Sequence, residues 1–273
     1  MDDLGAFQEL ARADERHLDL GRAALAIARI EHPALSVDRE LAKLDGLAAR
    51  SAAGGASDEQ VRLQRLLAFL FEEEGFRGNA EEYYDPRNSC LNDVLDRKLG
   101  IPITLSILTM EVGRRVGVEV EGVSLPGHFI VSASLGGRRI FLDPFNGGGV
   151  LTPAQAAEVA SKAVGRPVKL AEAHWAPCGK RQILVRMLRN LKGIYARQSH
   201  WAHALAVVDR LLVLDSESPV HLRDRGTVLV RLQRLHEGAA AWERYLTRFP
   251  SSPDADTFRE ELRKVRQKIG SLN

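Results

Sequence analysis

The segment ITLSILTMEVGRRVG constrains the fold of this chain more than any other feature. Its apolar residues lie almost all round a helix: Ile103, Leu105, Ile107, Leu108, Met110 and Val112. A helix of this kind is buried on most sides, so we predict that it lies at the centre of a domain. Pro102 precedes it and favours the first helical turn, where a missing N–H is not needed for an intrahelical bond.

Strand periodicity follows this helix. VEVEGVSL alternates, HFIVSAS is rich in β-branched and aromatic residues, and RRIFLDPF comes after the turn Gly136-Gly137. Two strand-like segments joined by a Gly-Gly turn predict a β-hairpin. Thr152 and Pro153 then have the pattern of a helix N-cap and a first helical residue. The middle of the chain is therefore predicted to be a buried helix followed by an antiparallel sheet.

Helical periodicity dominates the chain before this core. From Leu4 to about Glu74 apolar residues recur at helical spacing, and Ser36 is placed to cap one of the helices. A further short helix is predicted to begin near Leu91, with Asn88 or Ser89 as its N-cap.

The chain after about Gln182 contains an internal repeat. Ala204 and Ala239 are 35 residues apart, and Pro219 and Pro253 are 34 apart. This period resembles that of tetratricopeptide repeats, whose two helices need a small residue where they cross. A plain helical tail is the alternative that the pattern leaves open.

Composition excludes several classes of protein. Apolar residues make up 45% of the chain, and 38 basic against 36 acidic residues give a net charge of only +2. This balance predicts neither a nucleic-acid nor a membrane partner, since both favour a concentrated basic surface. Two cysteines cannot form a disulfide framework, and the acidic N-terminus is unlike a signal peptide. We therefore expect a cytoplasmic protein of bacterial type.

His128 and Asp143 have the pattern of two members of a nucleophilic triad. His128 opens one predicted strand and Asp143 closes the next, so pairing across a turn near Gly136 would bring the two side chains together. Cysteine catalysis needs an imidazole that takes the thiol proton and a carboxylate that orients the imidazole. The alternative is that the histidine satisfies a turn and that Asp-Pro caps one.

The chain resembles the SirB1-type branch of the transglutaminase-like superfamily in the order of these elements and in two sequence segments. The segments are NSCLNDVLDRKLGIPITLSILTMEVGRRVGVEVEGVSLPGHFIVSA and FLDPFNGG. The resemblance implies an α+β fold of the papain-like cysteine protease type, with a buried helix on an antiparallel sheet. It implies three parts: a helical segment at 1–79, a transglutaminase-like core at 80–180 and tetratricopeptide-like hairpins at 181–273. His128 and Asp143 match the family's histidine and aspartate.

The cysteine of active relatives does not carry over. The resemblance places the catalytic cysteine at the start of the central helix, and this chain has Pro102 at that position. Proline has no nucleophilic atom. Cys90 follows Asn88-Ser89 at a predicted helix start, so it is the catalytic candidate if the protein is an enzyme. As a small buried side chain Cys90 needs no chemistry, and we favour this structural role.

We therefore expect a non-catalytic protein-interaction or regulatory module, a pseudoenzyme with its groove near His128 and Asp143. The repeat region is expected to hold a protein or peptide partner. A cysteine-dependent amidase, protease or acyl transferase that uses Cys90, His128 and Asp143 is the alternative. No cofactor and no metal site is expected, because His174 and Cys178 alone cannot complete a zinc tetrahedron. The sequence indicates no particular oligomeric state.

Overall fold

The structure, a computed structural model, describes residues 3–272 of the chain. Its helices are α1 (Asp3–Arg12), α2 (Leu20–Ala28), α3 (Val37–Arg50), α4 (Glu59–Ala68), α5 (Leu91–Arg97), α6 (Pro102–Arg115), α7 (Pro153–Val164), α8 (Lys180–Arg197), α9 (Trp201–Leu214), α10 (Pro219–Arg231), α11 (Leu235–Arg248) and α12 (Ala255–Leu272). Its strands are β1 (Arg77–Gly78), β2 (Leu99–Gly100), β3 (Val120–Leu125), β4 (His128–Leu135), β5 (Arg138–Asp143) and β6 (Gly149–Leu151). The predicted α+β class is confirmed.

The described chain divides into two compact units. One unit runs from Ala13 to Met187, and the other joins the chain before Ala13 to the chain from Leu188 onward. The three-part division at 79/80 and 180/181 stays a prediction from sequence. No helix among residues 3–272 is both long enough and apolar enough to span a membrane.

The unit that runs from Ala13 to Met187 is built around α6. Nearly every residue of α6 is buried, because the helix packs against β3 and β4 and also against α2 and α3. Pro102 occupies the first helical position, as predicted. Thr104 closes this helix end: its Oγ1 accepts a hydrogen bond from the Ile101 N–H at 3.1 Å and donates one to the Asn88 carbonyl at 2.7 Å. The N-terminus of α6 is therefore buried and capped by Thr104.

The main sheet is antiparallel in the order β3-β4-β5-β6. The predicted hairpin is confirmed: β4 and β5 meet at the pair Leu135–Arg138, and both turn glycines have positive φ, +54° at Gly136 and +76° at Gly137. Such a pair of left-handed residues matches the twist of the flanking strands. Strand β6 has three residues, too few for a periodic pattern, and was not predicted.

Two of the three predicted helix caps are confirmed and one is wrong. Ser36 accepts from the Arg39 N–H, and Thr152 forms a reciprocal capping box with Gln155. The N-cap of α5 is Cys90, which makes no side-chain capping bond. Asn88 and Ser89 instead belong to a 3-10 turn at Pro86–Ser89, and this turn moves the start of α5 beyond them.

The second unit contains helical hairpins of the predicted kind. Ala204 and Ala239 are buried, but the closest helix approach lies elsewhere. A Cβ atom on Gly226 of α10 would lie 2.2 Å from the ring of Trp242 on α11. The crossing of α10 and α11 therefore requires a glycine, a stricter demand than the alanine that the repeat predicted.

His221 in this unit is a buried histidine, and neither of its ring nitrogens has a hydrogen-bond partner among residues 3–272. Burial lowers the pKa of His221, and the nearby Lys192 and Arg189 lower it further. The unfolded chain, with a pKa near 6.5, therefore binds a proton at a higher pH than the folded chain does.

We expect the stability conferred by neutral His221 to be complete above about pH 6.5 and to fall below that pH, by at most about 1.4 kcal/mol per pH unit. Thermal unfolding of the wild type and of His221→Leu between about pH 5 and pH 8 measures this difference. The exposed His236 on α11 supplies the control His236→Leu. A wild-type curve parallel to that of His221→Leu would contradict the prediction.

Candidate functional site

His128 and Asp143 meet in a buried hydrogen-bonded pair. Nε2 of His128 lies 3.1 Å from Oδ1 and 3.0 Å from Oδ2 of Asp143, and the two side chains are 5% and 1% exposed. The predicted meeting of the two side chains is confirmed, but the strand register differs from direct pairing of His128 with Asp143. Because Val131 lies opposite Leu142, Ile130 lies opposite Asp143 and His128 is its diagonal neighbour. Diagonal residues share a face of the sheet, so the side chains still reach one another.

Asp143 is held by more than the imidazole. Its carboxylate accepts bonds from the Phe145 N–H at 3.1 Å and from the Asn146 side-chain amide at 2.7 Å. Burial raises the pKa of Asp143, but the hydrogen bonds and charge of His128 and the bonds from Asn146 outweigh burial and leave it below its usual value. The carboxylate is therefore ionised at neutral pH.

An ionised carboxylate can only accept hydrogen bonds, so the hydrogen lies on Nε2 of His128. In the neutral form of the ring Nδ1 carries the lone pair, and Nδ1 makes no hydrogen bond within the described residues. This nitrogen can accept a hydrogen bond from an amide or a hydroxyl of a bound group. The pair thus retains the orientation that an imidazole base requires.

Aromatic side chains cover the pair. The ring of Phe145 stands edge-on to the imidazole, with 6.0 Å between centroids, and Tyr83 packs edge-on to Phe145 at 6.2 Å. Gly78 permits this arrangement, because a Cβ there would lie 2.6 Å from the Phe145 ring. Burial raises the pKa of Tyr83. Tyr84 beside it is 55% exposed and marks the solvent edge of this aromatic group.

Arg186 fixes the turn that carries His128. Its guanidinium donates to the Leu125 carbonyl at 3.0 Å and to the His128 carbonyl at 2.7 Å, and it lies over the Phe129 ring at 5.4 Å. Burial lowers the pKa of Arg186, and no carboxylate within the described residues pairs with it. Arg186 therefore positions the histidine backbone through neutral acceptors.

Cys90 does not join the pair. The imidazole forms its hydrogen bonds within residues 3–272 with Asp143 alone, and Cys90 is 1% exposed at the start of α5. Burial, and then the negative charge of Asp93, raise the pKa of Cys90 well above its usual value. A thiol in such surroundings stays protonated, which is the reverse of what a nucleophile needs. The structure thus gives Cys90 no catalytic contact.

The other nucleophilic atoms are likewise engaged or enclosed. Thr104 is fully buried and serves as the cap of α6, and the hydroxyl of Ser106 is buried without a partner. Cys178 donates from Sγ to the Gly122 carbonyl at 3.2 Å, and burial raises its pKa to about 11. No group of three His, Cys, Asp or Glu side chains in the described part of the chain could hold a metal ion.

Comparisons with known proteins agree with this architecture. A family model described as the transglutaminase-like superfamily matches residues 36–189, and a tetratricopeptide repeat model matches residues 191–263. A UPF0162 protein of Xylella fastidiosa is 37% identical over 264 residues, which cover 95% of this chain and 94% of that protein.

Two more distant proteins also match most of the chain. The protein SirB1 of Salmonella typhimurium is 24% identical over 247 residues, which cover 90% of this chain and 91% of that protein. Among solved structures, menin is similar with a TM-score of 0.46 and 11% identity, over 89% of this chain and 69% of menin.

Proposed function

Because the chain belongs to the transglutaminase-like superfamily, in the branch that contains SirB1 and the UPF0162 proteins, we propose that it is a non-catalytic protein-interaction or regulatory module. One observation carries this proposal: the His128–Asp143 pair is oriented, yet no thiol or hydroxyl of residues 3–272 is hydrogen-bonded to the imidazole. Pro102 at the start of α6 supports it, since that residue has no nucleophilic atom.

The ligand proposed for this site is a peptide or an amide-containing group. Nδ1 of His128 is its acceptor, and Phe145 and Tyr83 supply an aromatic wall for an apolar side chain. The two free cysteines support a reducing compartment, and we place the protein in the cytoplasm. The near-neutral net charge of +2 supports protein or peptide partners over nucleic acid or membrane.

The repeat unit is proposed to bind a peptide of its own. A cavity of about 590 Å³ lies in this unit, and its lining includes Trp201, Arg231, Trp242 and Phe258. The guanidinium of Arg231 lies over the Trp201 ring at 5.6 Å. Aromatic and arginine side chains are the residues that dominate binding energy at protein interfaces.

Panning a random peptide library against the full-length chain tests the repeat unit. Selected peptides should bind Trp201→Ala at least about tenfold more weakly than the wild type. Val220 is 42% exposed on α10 and does not line the cavity, so Val220→Ala is the matched control and should bind as the wild type does. Peptides that bind all three proteins equally would remove this cavity from the proposal.

Thiol reactivity tests the absence of catalysis. At about pH 8, Cys178 should carry a thiolate fraction about 100-fold below that of a free cysteine, and Cys90 should react more slowly still, because its burial limits access. Mass spectrometry after iodoacetamide treatment follows each cysteine separately. Full reaction of both in guanidinium chloride is the control.

The alternative is a thiol amidase, protease or acyl transferase. One observation favours it, namely that ionised Asp143 orients the imidazole as a base. Glutamine-containing peptides with and without an amine acceptor are suitable substrates. We expect no turnover that Cys90→Ala or His128→Ala reduces. Turnover lost in both variants, together with rapid alkylation of Cys90, would establish the enzyme and refute the module.

A further inference from the structure

A second cleft, of about 730 Å³, lies in the unit that runs from Ala13 to Met187, and neither His128 nor Asp143 lines it. One wall is the backbone of residues 117–122, which leads into and includes the first half of β3. Residues 15–20, residues 178–180 and part of α6 form the rest. Its volume is within the range of pockets that hold ligands.

The β3 wall of this cleft is an open sheet edge. Strand β3 is the first strand in the sheet order, so only its β4 side is paired along its full length. The Gly122 carbonyl accepts a bond from the Cys178 N–H at 2.8 Å, and it therefore points away from β4. In an antiparallel ladder alternate residues direct both backbone groups to the same side, so those of Val120 point the same way.

The groups along this edge are mostly unpaired. Within residues 3–272 the N–H of Gly122 and both backbone groups of Val120 have no hydrogen bond outside the β3–β4 ladder. A row of unpaired N–H and C=O groups is a template for another strand. Here it faces a cleft rather than a flat surface.

The chain itself starts the pairing that a ligand would continue. Pro177 forms an isolated antiparallel bridge with Val123, and the neighbouring Cys178 N–H bonds to Gly122. Beyond this bridge, residues 178–180 line the cleft and leave the next positions of β3 open. The open edge runs only from Val120 to the Gly122 N–H, because the Val118 N–H before it already donates to the Gly113 carbonyl at 2.9 Å. This stretch is about 10 Å long, enough for about three extended residues.

The charge of the cleft indicates what binds there. Five carboxylates line it, Glu15, Asp19, Glu111, Glu119 and Glu121, against three basic side chains, Arg16, Arg114 and Lys180. Glu111 is ion-paired with Arg114 and Arg115, and Asp19 caps α2 beside Arg22, so the negative charge left for a ligand is chiefly that of Glu119 and Glu121. Glu119 is exposed and has no ion pair within the described residues. Glu121 has a single long contact, 3.7 Å from Arg139, with both side chains nearly half-exposed. Val118, Val120 and Gly122 alternate with these two glutamates and are buried.

We propose that this cleft binds an extended basic segment of a partner protein by strand addition to β3. The N–H and C=O of Val120 and the N–H of Gly122 supply the main-chain bonds, because the Gly122 carbonyl already accepts from Cys178. Lysine or arginine at alternate positions meets Glu119 and Glu121, and small apolar residues occupy the positions between. The site is distinct from the two surfaces of the proposed function.

Fluorescence anisotropy with the labelled heptapeptide Lys-Val-Lys-Val-Lys-Val-Lys tests the proposal on the full-length chain. The same peptide with its valine nitrogens methylated keeps its charge but loses backbone donors, and it should bind about tenfold more weakly. Glu119→Gln/Glu121→Gln should weaken binding about fivefold at low salt. Glu72→Gln/Glu73→Gln removes the same charge from an exposed run outside the cleft and should change nothing.

Hydrogen exchange measured by mass spectrometry locates the bound peptide. Binding should slow amide exchange in residues 119–122 and leave residues 128–143 unchanged. Equal affinity for the methylated peptide would show charge attraction alone and overturn the proposal. The absence of binding would also overturn it. So would protection at 119–122 that comes with a doubled mass in light scattering, because the occupant would then be a second copy of this chain.

Discussion

Replacement of His128 by alanine is expected to lower the free energy of unfolding by about 3 kcal/mol. The imidazole and the carboxylate of Asp143 are both buried, so removal of one leaves the other without its partner. Asp143 keeps its bonds from Phe145 and Asn146, which holds the loss below that of a fully orphaned charge.

A double-mutant cycle measured by urea unfolding separates the interaction energy of His128 with Asp143 from the contribution of each residue alone. Asp143→Asn alone should cost about 2 kcal/mol, because the amide cannot serve all the donors that the carboxylate accepts. The double variant should cost clearly less than the sum of the two singles. The exposed pair of His17 and Asp14, at 2.8 Å, supplies the control, and His17→Ala should leave the unfolding midpoint unchanged. Additive costs in the cycle would contradict the pairing.

The same pair gives a pH dependence of defined sign. The folded pKa of Asp143 is depressed, so its contribution to stability is present above its unfolded value of about 3.8 and is lost as the pH falls through the folded value. His128→Ala removes the largest favourable influence on that carboxylate. The difference in stability between wild type and His128→Ala should therefore shrink as the pH falls below about 4.

Replacement of Trp242 by alanine is expected to cost about 4 kcal/mol in the repeat unit. Trp242 is 3% exposed, its Nε1 donates to the Arg223 carbonyl at 3.1 Å, and it packs on Phe258 with 5.4 Å between ring centroids. Gly226→Ala should cost about 2 kcal/mol, because the new methyl group would enter the indole ring.

These two changes should not be additive. Once Trp242 is alanine, the added methyl group on Gly226 occupies vacated space, and the cost of Gly226→Ala should largely disappear. Gly193 lies in α8, and a Cβ atom added there would meet nothing within 4 Å, so Gly193→Ala should stabilise by about 0.5–1 kcal/mol through helix propensity. Urea unfolding measures the wild type, the three single variants and the double variant. An equal cost of Gly226→Ala in both backgrounds would refute the tight crossing.

Elements with a repeating side-chain pattern were predictable from the sequence. The buried helix α6 follows from its helical apolar periodicity. The β4–β5 hairpin follows from two strand-like segments joined by a Gly-Gly turn. The cap of α5 was not predictable in the same way. Asp85 caps the 3-10 turn before α5 by accepting from the Arg87 N–H, so Asn88 and Ser89 are part of that turn and cannot serve as caps. A capping rule applied to one helix at a time does not consider that a neighbouring turn can use the same residues.

The candidate site was predictable only in its strands. His128 and Asp143 lie on adjacent strands, so a turn fixes their separation to within a residue or two. Asn146 could have been found, because Asp, Pro, Asn and Gly favour turns and the run DPFNGG places Asn146 in the same turn as Asp143. Arg186 and Tyr83 lie 58 and 45 residues from His128, and no local pattern links them to it. Their role depends on tertiary packing between distant parts of the chain, and no short sequence motif indicates such contacts.

The glycine at position 78 has a consequence for the hydrogen on Nε2 of His128. Because no side chain occupies that position, the Phe145 ring can lie against the backbone and shield the imidazole. A hydrogen that lies between a carboxylate and an aromatic ring exchanges slowly with solvent. The ring N–H of His128 should thus give a persistent downfield magnetic resonance, a spectroscopic sign of whether the site is closed or open.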